Sequence, residues 1–489
     1  MLRVRGDTMV RAQSMAMRNA SPPIPPLAHD ALYVGIDIGK RRHVAGFVSS
    51  TLLSRHQRFE GCPALPFDNS REGFRLLIDR ICAYAPMEQC SVLMEKTGHY
   101  HKPLVGYLLD MDVTVYVMHV QSRPRGLVKT DKRDALGLAN HLYNQLEKGI
   151  QVGDSAQLVR QALPPTEAAA ALKTMMGHRF ELVNEATKRR NQLTAICDQL
   201  FPEFTTVFVD PNKPIALAVR AAFPTAHAVA TASAESLCHA KGGRGPNRAD
   251  MAHLQELAAR SIGITDGARV RSLAFEQGQL IRELTVIREH IAQIDAEIGQ
   301  IVAHAREGRI LMALPGIGAT SAAAILAAIG HIDNFPDAAH LKAYFGWAPK
   351  VTQSGMTKDS ASLTRAGERT MKQVMYMVAL RCIKDDTEFA SIYKRLVERK
   401  CAYDERTRAY KGKRVVIARI AGQLTRMVYA FLKADADLLA RTPAGQQPPE
   451  PMLYDRVLHR SHIAGNYHSM TPRPARGDLI KLPKRDVSS

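Results

Sequence analysis

The chain reads as an α/β domain followed by a mainly helical remainder, and three observations carry that reading. Over residues 31–150, short apolar runs punctuated by glycine and polar residues alternate with helical patterns. Two long stretches of charged helical periodicity follow, from Thr166 to about Leu200 and from Arg269 to about Glu307. Beyond Leu311, small-residue and basic helical patterns dominate. At 489 residues the chain exceeds one small core, so two or three domains are expected.

In the first region, Leu32 to Ile38 and His43 to Val48 predict two strands about a tight turn, with Gly35 and Gly39 near the bend. Glu72 to Tyr84 predicts a helix, Cys90 to Met94 a short buried strand, Pro103 to Asp110 a helix and Val113 to Met118 a strand. From Asp131 to Leu146, Ala135, Leu136, Leu138, Ala139 and Leu142 recur at helical spacing. This order predicts a sheet that starts antiparallel and continues as strand and helix in alternation.

Residues 160–308 predict a helical arm, an antiparallel coiled coil broken by a less regular insertion at about 210–265, with a flexible loop at Lys241 to Asn247. A helical bundle packed on the same subunit fits the pattern almost as well. A third domain is expected over 309–440. There Leu314-Pro-Gly-Ile-Gly318, before the small-residue helix Ala319 to Ile329, has the form of a helix-hairpin-helix. Gly316 and Gly318 would then offer backbone N–H groups to a nucleic-acid phosphate; a plain αα turn explains the same residues equally. Leu341 to Gly367 is loop-rich, and Met371 to Cys382 and Val415 to Leu432 predict helices. Residues 1–30 form an Arg- and Pro-containing leader and 441–489 a Pro-rich tail, both expected to be disordered.

Composition narrows the partner. Lys plus Arg number 66 against 47 Asp plus Glu, a formal charge of +19. Such an excess draws in polyanions through long-range attraction and counterion release, nucleic acid first and an anionic membrane surface second. From Lys394 to Lys433, twelve Lys or Arg stand against three acids. A charge run of this kind is a solvated face unless a polyanion covers it. The candidate contacts are Lys350, Lys358, Arg365, Arg369, Lys372, Lys411, Lys413 and Arg414. No run of about 18 apolar residues is apparent, so no membrane span is expected. Seven cysteines with no Cys-x-x-Cys pair read as reduced thiols of a cytoplasmic protein.

Four acids stand where chemistry is expected. Asp37 ends the first strand, Glu95 ends the Cys90 strand, and Asp131 and Asp134 share a face in the first turn of their helix. Four hard oxygen donors in one crevice repel one another unless a cation lies among them, and Mg²⁺ suits such a set. Two such ions activate an attacking oxygen and stabilise a leaving one. Singly, Asp131 reads as an N-cap and Glu95 as a surface acid near a turn.

The segments GIDIGKRRHVAGF, MEKTGHYHKPLVGYLLD and VKTDKRDALGLAN resemble the N-terminal domain of DEDD transposases of the insertion-sequence 110 family, which includes Piv-type invertases. LMALPGIGATSAAAILAAIG, FPDAAHLKAYFGWAPKVTQSG and LTRAGERTMKQVMYMVAL resemble the family's C-terminal transposase domain. The resemblance covers roughly residues 31–150 and 305–435, in the family's order. It implies a RuvC-like, RNase H-type fold for the first domain, with Asp37, Glu95, Asp131 and Asp134 as its Mg²⁺-binding acids. It also implies a nucleophilic serine at Ser354 of Gln-Ser-Gly, attacking the DNA backbone to give a phosphoserine link. By its own surroundings Ser354 is an ordinary loop serine, with Ser360 and Ser362 nearby.

Relatives in this family are guided by a bridge RNA that pairs with donor and target DNA, so the resemblance implies DNA and RNA partners and a homo-oligomer, dimer or tetramer. The leader, the insertion near 210–265 and a glycine missing between Gly355 and Thr364 depart from the family pattern without removing a catalytic residue. The alternatives are a site-specific DNA invertase, a RuvC-like hydrolytic nuclease and a non-catalytic nucleic-acid binder.

Overall fold

The computed structural model describes residues 30–95, 98–118, 130–149, 160–240, 246–352, 360–363, 367–385, 387–443 and 445–455. The chain divides into two compact units, Met1–Pro165 and Thr166–Ser489.

The first unit is a mixed sheet with helices. Its strands are β1 (Leu32–Asp37), β2 (Arg42–Val48), β3 (Ala64–Asp68), β4 (Cys90–Glu95), β5 (Thr114–Met118) and β6 (Arg160–Gln161), in the order β3-β2-β1-β4-β5-β6. The β3-β2-β1 pairings are antiparallel, β1-β4-β5 are parallel, and β6 returns antiparallel. Central β1 and β4 are almost wholly apolar because both faces are covered. Helices α1 (Ser50–His56), α2 (Arg71–Tyr84), α3 (Lys102–Asp110) and α4 (Asp131–Leu146) complete the unit.

Helix α2 is capped by the Ser70 hydroxyl, which accepts from Gly73 N–H. It buries Phe74, Leu77, Ile78 and Ile81, the spacing of a single helical face. Helix α4 buries Ala135, Leu136, Leu138, Ala139 and Leu142. Each leucine so covered stabilises the unit by about 1.5–3 kcal/mol.

Helix α1 is not read from the sequence; the other elements agree with that reading to within a residue or two, with three further differences. Gly35 lies inside β1, not near the bend. Strand β3 carries Pro66, which strand patterns exclude; it sits at the sheet edge, where a missing N–H is tolerated. Strand β6 is only two residues long.

The second unit is mostly helical. Helix α5 (Glu167–Leu200) runs against a later helix, Gly267–His304, with numbers falling on one as they rise on the other. Arg179 pairs with Asp295 at 2.5 Å, Arg189 with Glu283, and Arg269 donates to Gln199 at 2.9 Å. The stretch between them, read from sequence as less regular, holds α6 (Phe204–Val207), α7 (Pro214–Ala222), α8 (Ala226–Thr231), α9 (Ala234–Cys238) and α10 (Arg248–Ala259). These helices are short, and side-chain caps such as Thr225, Ser233 and Asn247 start three of them.

Arg220 of α7 fastens this head to the helix pair. It is only 3% exposed, and its guanidinium donates to Gln277 Oε1, Leu193 O and Pro211 O. Every bond goes to a neutral acceptor, and burial holds its pKa below the usual arginine value.

After the long helix α11 (Gly267–His304) the chain breaks at Ala305 and continues as α12 (Arg306–Ala313), α13 (Ala319–Ile329), α14 (Ala338–Tyr344), α15 (Arg369–Asp385), α16 (Thr387–Lys400) and α17 (Lys413–Arg441). Two hairpins accompany them, β7 (Pro349–Thr352) with β8 (Ser360–Leu363) and β9 (Ala402–Asp404) with β10 (Ala409–Lys411). Ala169, Leu172 and Met176 of α5 and Ile298 and Val302 of α11 share one core with α13, α15 and α17. The expected boundary near residue 309 therefore lies within a single core.

Asp435, 5% exposed on α17, is clasped by both Nε and Nη2 of Arg306 at 2.7–2.9 Å. Helix α17 also corrects the expectation that no apolar run is long enough to span a membrane: by length and hydropathy it qualifies. More than half of its most apolar window is buried, and Val416, Ile417, Ile420, Leu424, Met427 and Val428 pack into the helical core.

Candidate active site

The acids are positioned by strand alternation and by one close helix–sheet approach. Strands β1 and β4 are parallel and in register from Leu32 opposite Cys90 to Ile36 opposite Met94. Asp37 and Glu95, the next residues, close the two neighbouring strands at the same end. Successive side chains alternate between faces, so Gly35 and Asp37 share a face, and the in-register Leu93 and Glu95 share it with them. Both acids are half-buried.

Helix α4 lies across that face. A Cβ on Gly35 would stand 2.2 Å from both Ala135 O and Ala139 N, and one on Gly46, paired with Gly35, 2.7 Å from Leu136 N. The two glycines thus let the α4 backbone rest on the sheet. Asp134, directly before Ala135 and 8% exposed, is carried to the same end of the sheet as Asp37.

Thr130 caps α4, its hydroxyl accepting from Arg133 N–H at 3.2 Å, so the cap role open to Asp131 is filled by its neighbour. Asp131 is exposed in the first turn, three residues from Asp134, and both acids favour that helix end electrostatically.

The set is oxygen-only and gathered at one sheet end, which suits a hard cation. Among the described residues, no three His, Cys, Asp or Glu side chains come together as a metal-holding group.

His43, the second residue of β2, just past the turn that follows Asp37, is fully buried. Its Nδ1 accepts from Gly39 N–H at 3.2 Å, and its ring stands against Phe67 and Phe74. Burial pushes its pKa below the usual histidine value. Nothing in the sequence around His43 marks it as buried, and Gly46 sits in an apolar strand as Gly35 does. A glycine inside an apolar strand was the available signal.

In the second unit, Ser354, Lys358 and Arg365 lie outside the described residues, and Lys350 is placed only as a backbone position of β7. Arg369 is exposed at the start of α15, and Lys372 stands 6.0 Å over the Trp347 ring. Lys411 pairs with Asp404 at 2.7 Å, and Lys413 and Arg414 are exposed at the start of α17. Gly316 takes φ +74°, and a Cβ there would stand 2.8 Å from Val378 O, so its turn is pressed against α15. Gly318 opens α13 with the Arg381 guanidinium beside it.

Two family models match the chain. Residues 34–202 match one of DEDD type named for IS110 and described as a transposase; residues 308–394 match one described as "Transposase IS116/IS110/IS902 family". The chain is 26% identical over 331 residues to an uncharacterised 43.6 kDa protein of insertion element IS110 from Streptomyces coelicolor, covering 65% of this chain and 74% of that protein. It is 23% identical over 363 residues to an IS116 protein of Streptomyces clavuligerus, covering 72% and 84%. A pilin gene-inverting protein of Moraxella bovis is 31% identical over 97 residues, 19% of this chain and 30% of that protein.

Proposed function

We propose that this chain, which belongs to the IS110 family of DEDD transposases, uses Ser354 as nucleophile and Asp37, Glu95, Asp131 and Asp134 as metal ligands to cut and rejoin DNA strands. The observation that carries the reading is the shared placement of three acids. Asp37 and Glu95 end neighbouring parallel strands, and Asp134 is held against the same sheet by the seam over Gly35. Two family regions matching in order, 34–202 and 308–394, support a two-part machinery of acids and serine.

In the proposed reaction the Ser354 hydroxyl oxygen bonds to a backbone phosphorus while the bond to the leaving sugar oxygen breaks. The proton passes to that leaving oxygen, and a sugar hydroxyl of a second strand later reverses the link. Asp37, Glu95, Asp131 and Asp134 would hold Mg²⁺, two ions per site, which would supply Lewis-acid stabilisation of phosphate charge. Asp37 and Glu95 hold their positions through the strand pairing, and Asp134 through α4. A RuvC-like fold is the finer reading of the sheet unit, and a coiled coil that of the α5–α11 pair. In the helical unit, the αα turn at Gly316 is read as a helix-hairpin-helix in which the backbone N–H groups of Gly316 and Gly318 face a nucleic-acid phosphate.

The partners proposed are donor and target DNA, a bridge RNA that pairs with both, and further copies of the chain, with the protein working in the cytoplasm. The Moraxella relative, named for gene inversion, favours a second reading in which the same residues invert a segment in place.

Incubation with end-labelled DNA and Mg²⁺, followed by denaturing electrophoresis, tests the chemistry. Wild-type protein is expected to give a covalent adduct, absent in Ser354→Ala and in Asp37→Asn. Loss of several kcal/mol of charge stabilisation in Asp37→Asn corresponds to about a thousandfold in rate. Nicking that survives Ser354→Ala would replace the reading with a hydrolase. Absence of Mg²⁺-dependent cleavage in wild-type protein would replace it with a binder.

A further inference from the structure

Helix α14 crosses α17 at Gly422, a glycine in the middle of a 29-residue helix. A glycine there costs about 1 kcal/mol relative to alanine, so something else must need the space. What occupies it is Lys342: a Cβ at Gly422 would stand 2.7 Å from the Lys342 Cε and 3.3 Å from its Nζ. Arg419 and Arg426 lie three residues before and four after Gly422 on α17, one helical turn to either side, and both are exposed. The half-buried lysine is thus laid between two arginines.

Among the described residues of these elements, no acid pairs with the three cations. Every carboxylate on the same elements is engaged elsewhere. Asp333 and Asp437 pair with Lys433 at 2.7 and 2.8 Å, and Asp435 pairs with Arg306. Asp337 caps α14 and meets His340 at 2.9 Å. Burial and the two arginines depress the lysine's pKa. Three cations held together in the free protein oppose folding by their mutual repulsion, and an anion between them reverses the sign of that contribution. Arginine forks and a lysine point charge are the groups that grip phosphate.

We propose that Lys342, Arg419 and Arg426 form a binding site for a backbone phosphodiester of nucleic acid over the α14–α17 seam. The proposal rests on the reading of the chain as a nucleic-acid enzyme and adds to it a contact point outside the acids and the serine. It also differs from the exposed cations Lys411, Lys413 and Arg414, because here the lysine is built into the packing.

The test measures binding of a short duplex DNA and of a hairpin RNA, both of arbitrary sequence, as a function of salt. The triple variant K342Q/R419Q/R426Q is expected to lower the slope of log K against log salt by about 1 or more. A charge-matched control, R260Q/R271Q/R282Q, removes three exposed arginines of the α10–α11 region and is expected to change it by less than half as much. Loss on the duplex alone assigns the phosphate to DNA, loss on the hairpin alone to RNA, and loss on both to either polymer's backbone.

A second readout separates binding from packing. Lys342→Met, which relieves the repulsion, is expected to leave the Tm of the unbound protein unchanged or raised. A lowered Tm with an unchanged salt slope would overturn the site in favour of a structural lysine. Equal slopes for the triple variant and its control would overturn it while leaving the transposase reading intact. Wild-type protein that bound neither polymer would overturn both.

Discussion

In each unit a helix is drawn against its neighbour over a glycine, with Asp37 and Asp134 beside the first seam and Lys342, Arg419 and Arg426 beside the second. The two seams differ in what the missing Cβ makes room for. At Gly35 it is the backbone of α4, at Ala135 O and Ala139 N; at Gly422 it is the far end of the Lys342 side chain. The first arrangement fixes carboxylates to within the tolerance of a sheet register. The second holds a cation that a few bond rotations can move. The proposed metal site would need the first kind of support, since backbone placement limits which side-chain rotations can bring ligand oxygens together. A polymer phosphate is served by the second.

The largest effect should come from closing the rigid seam. Gly35→Ala forces α4 off the sheet, because a backbone oxygen and nitrogen at 2.2 Å cannot rotate away. A cost of about 3 kcal/mol in urea unfolding is expected, with loss of covalent adduct. A change below about 1 kcal/mol would mean that the seam yields, and the contrast would fail.

An intermediate effect is expected from acid. His43 is buried beside the turn that follows Asp37, and its folded pKa lies below the unfolded value of 6.5. The unfolded chain then binds the proton more readily. The contribution is fully present above pH 6.5 and is lost as pH falls from there toward the folded pKa, with a slope of at most about 1.4 kcal/mol per pH unit. His141 of α4 is shifted the same way by burial and adds to the trend. Amide exchange in residues 32–148 should quicken on acidification through this range. His43→Gln should flatten the response; an unaltered response would assign it to other groups.

The smallest stability effect belongs to the movable seam. In Gly422→Ala the gain in helix propensity, about 1 kcal/mol, offsets the displacement of the Lys342 tip. Urea unfolding should change by less than about 1 kcal/mol, while salt-dependent binding weakens. A destabilisation as large as that of Gly35→Ala would make the two seams alike.

How much of this could be read in advance follows the same division. The sheet unit was legible because its strands and helices repeat at periods of two and 3.6, and because Asp37, Glu95, Asp131 and Asp134 fall at element ends. The edge strand with Pro66 was not, since an edge position excuses a residue that strand patterns exclude. In the helical unit, Thr387–Lys400 was hidden by its charge, and the short helices of the head by their length. Lys342 and Gly422 are eighty residues apart, and no period links them. Gly35 and Ala135 are a hundred apart, yet a glycine inside an apolar strand marks its own site, whereas a glycine in a helix of mixed character does not. Ser354 rested on family resemblance alone, since nothing in its own surroundings distinguishes it from other loop serines.

The base of the head has one more consequence. Gln199, at the end of α5, accepts at its carbonyl from Ile264 N–H at 3.0 Å, and its side chain takes the Arg269 guanidinium at 2.9 Å. The chain therefore leaves the helix pair and rejoins it at one level, through a neck that these bonds hold shut. What lies between stays tied to the pairing below, by Arg220 to Gln277 and Leu193 O and by Asn212 to Arg190 O and Thr194. Changes of length in the head that spare these contacts are expected to leave α5 and α11 in register.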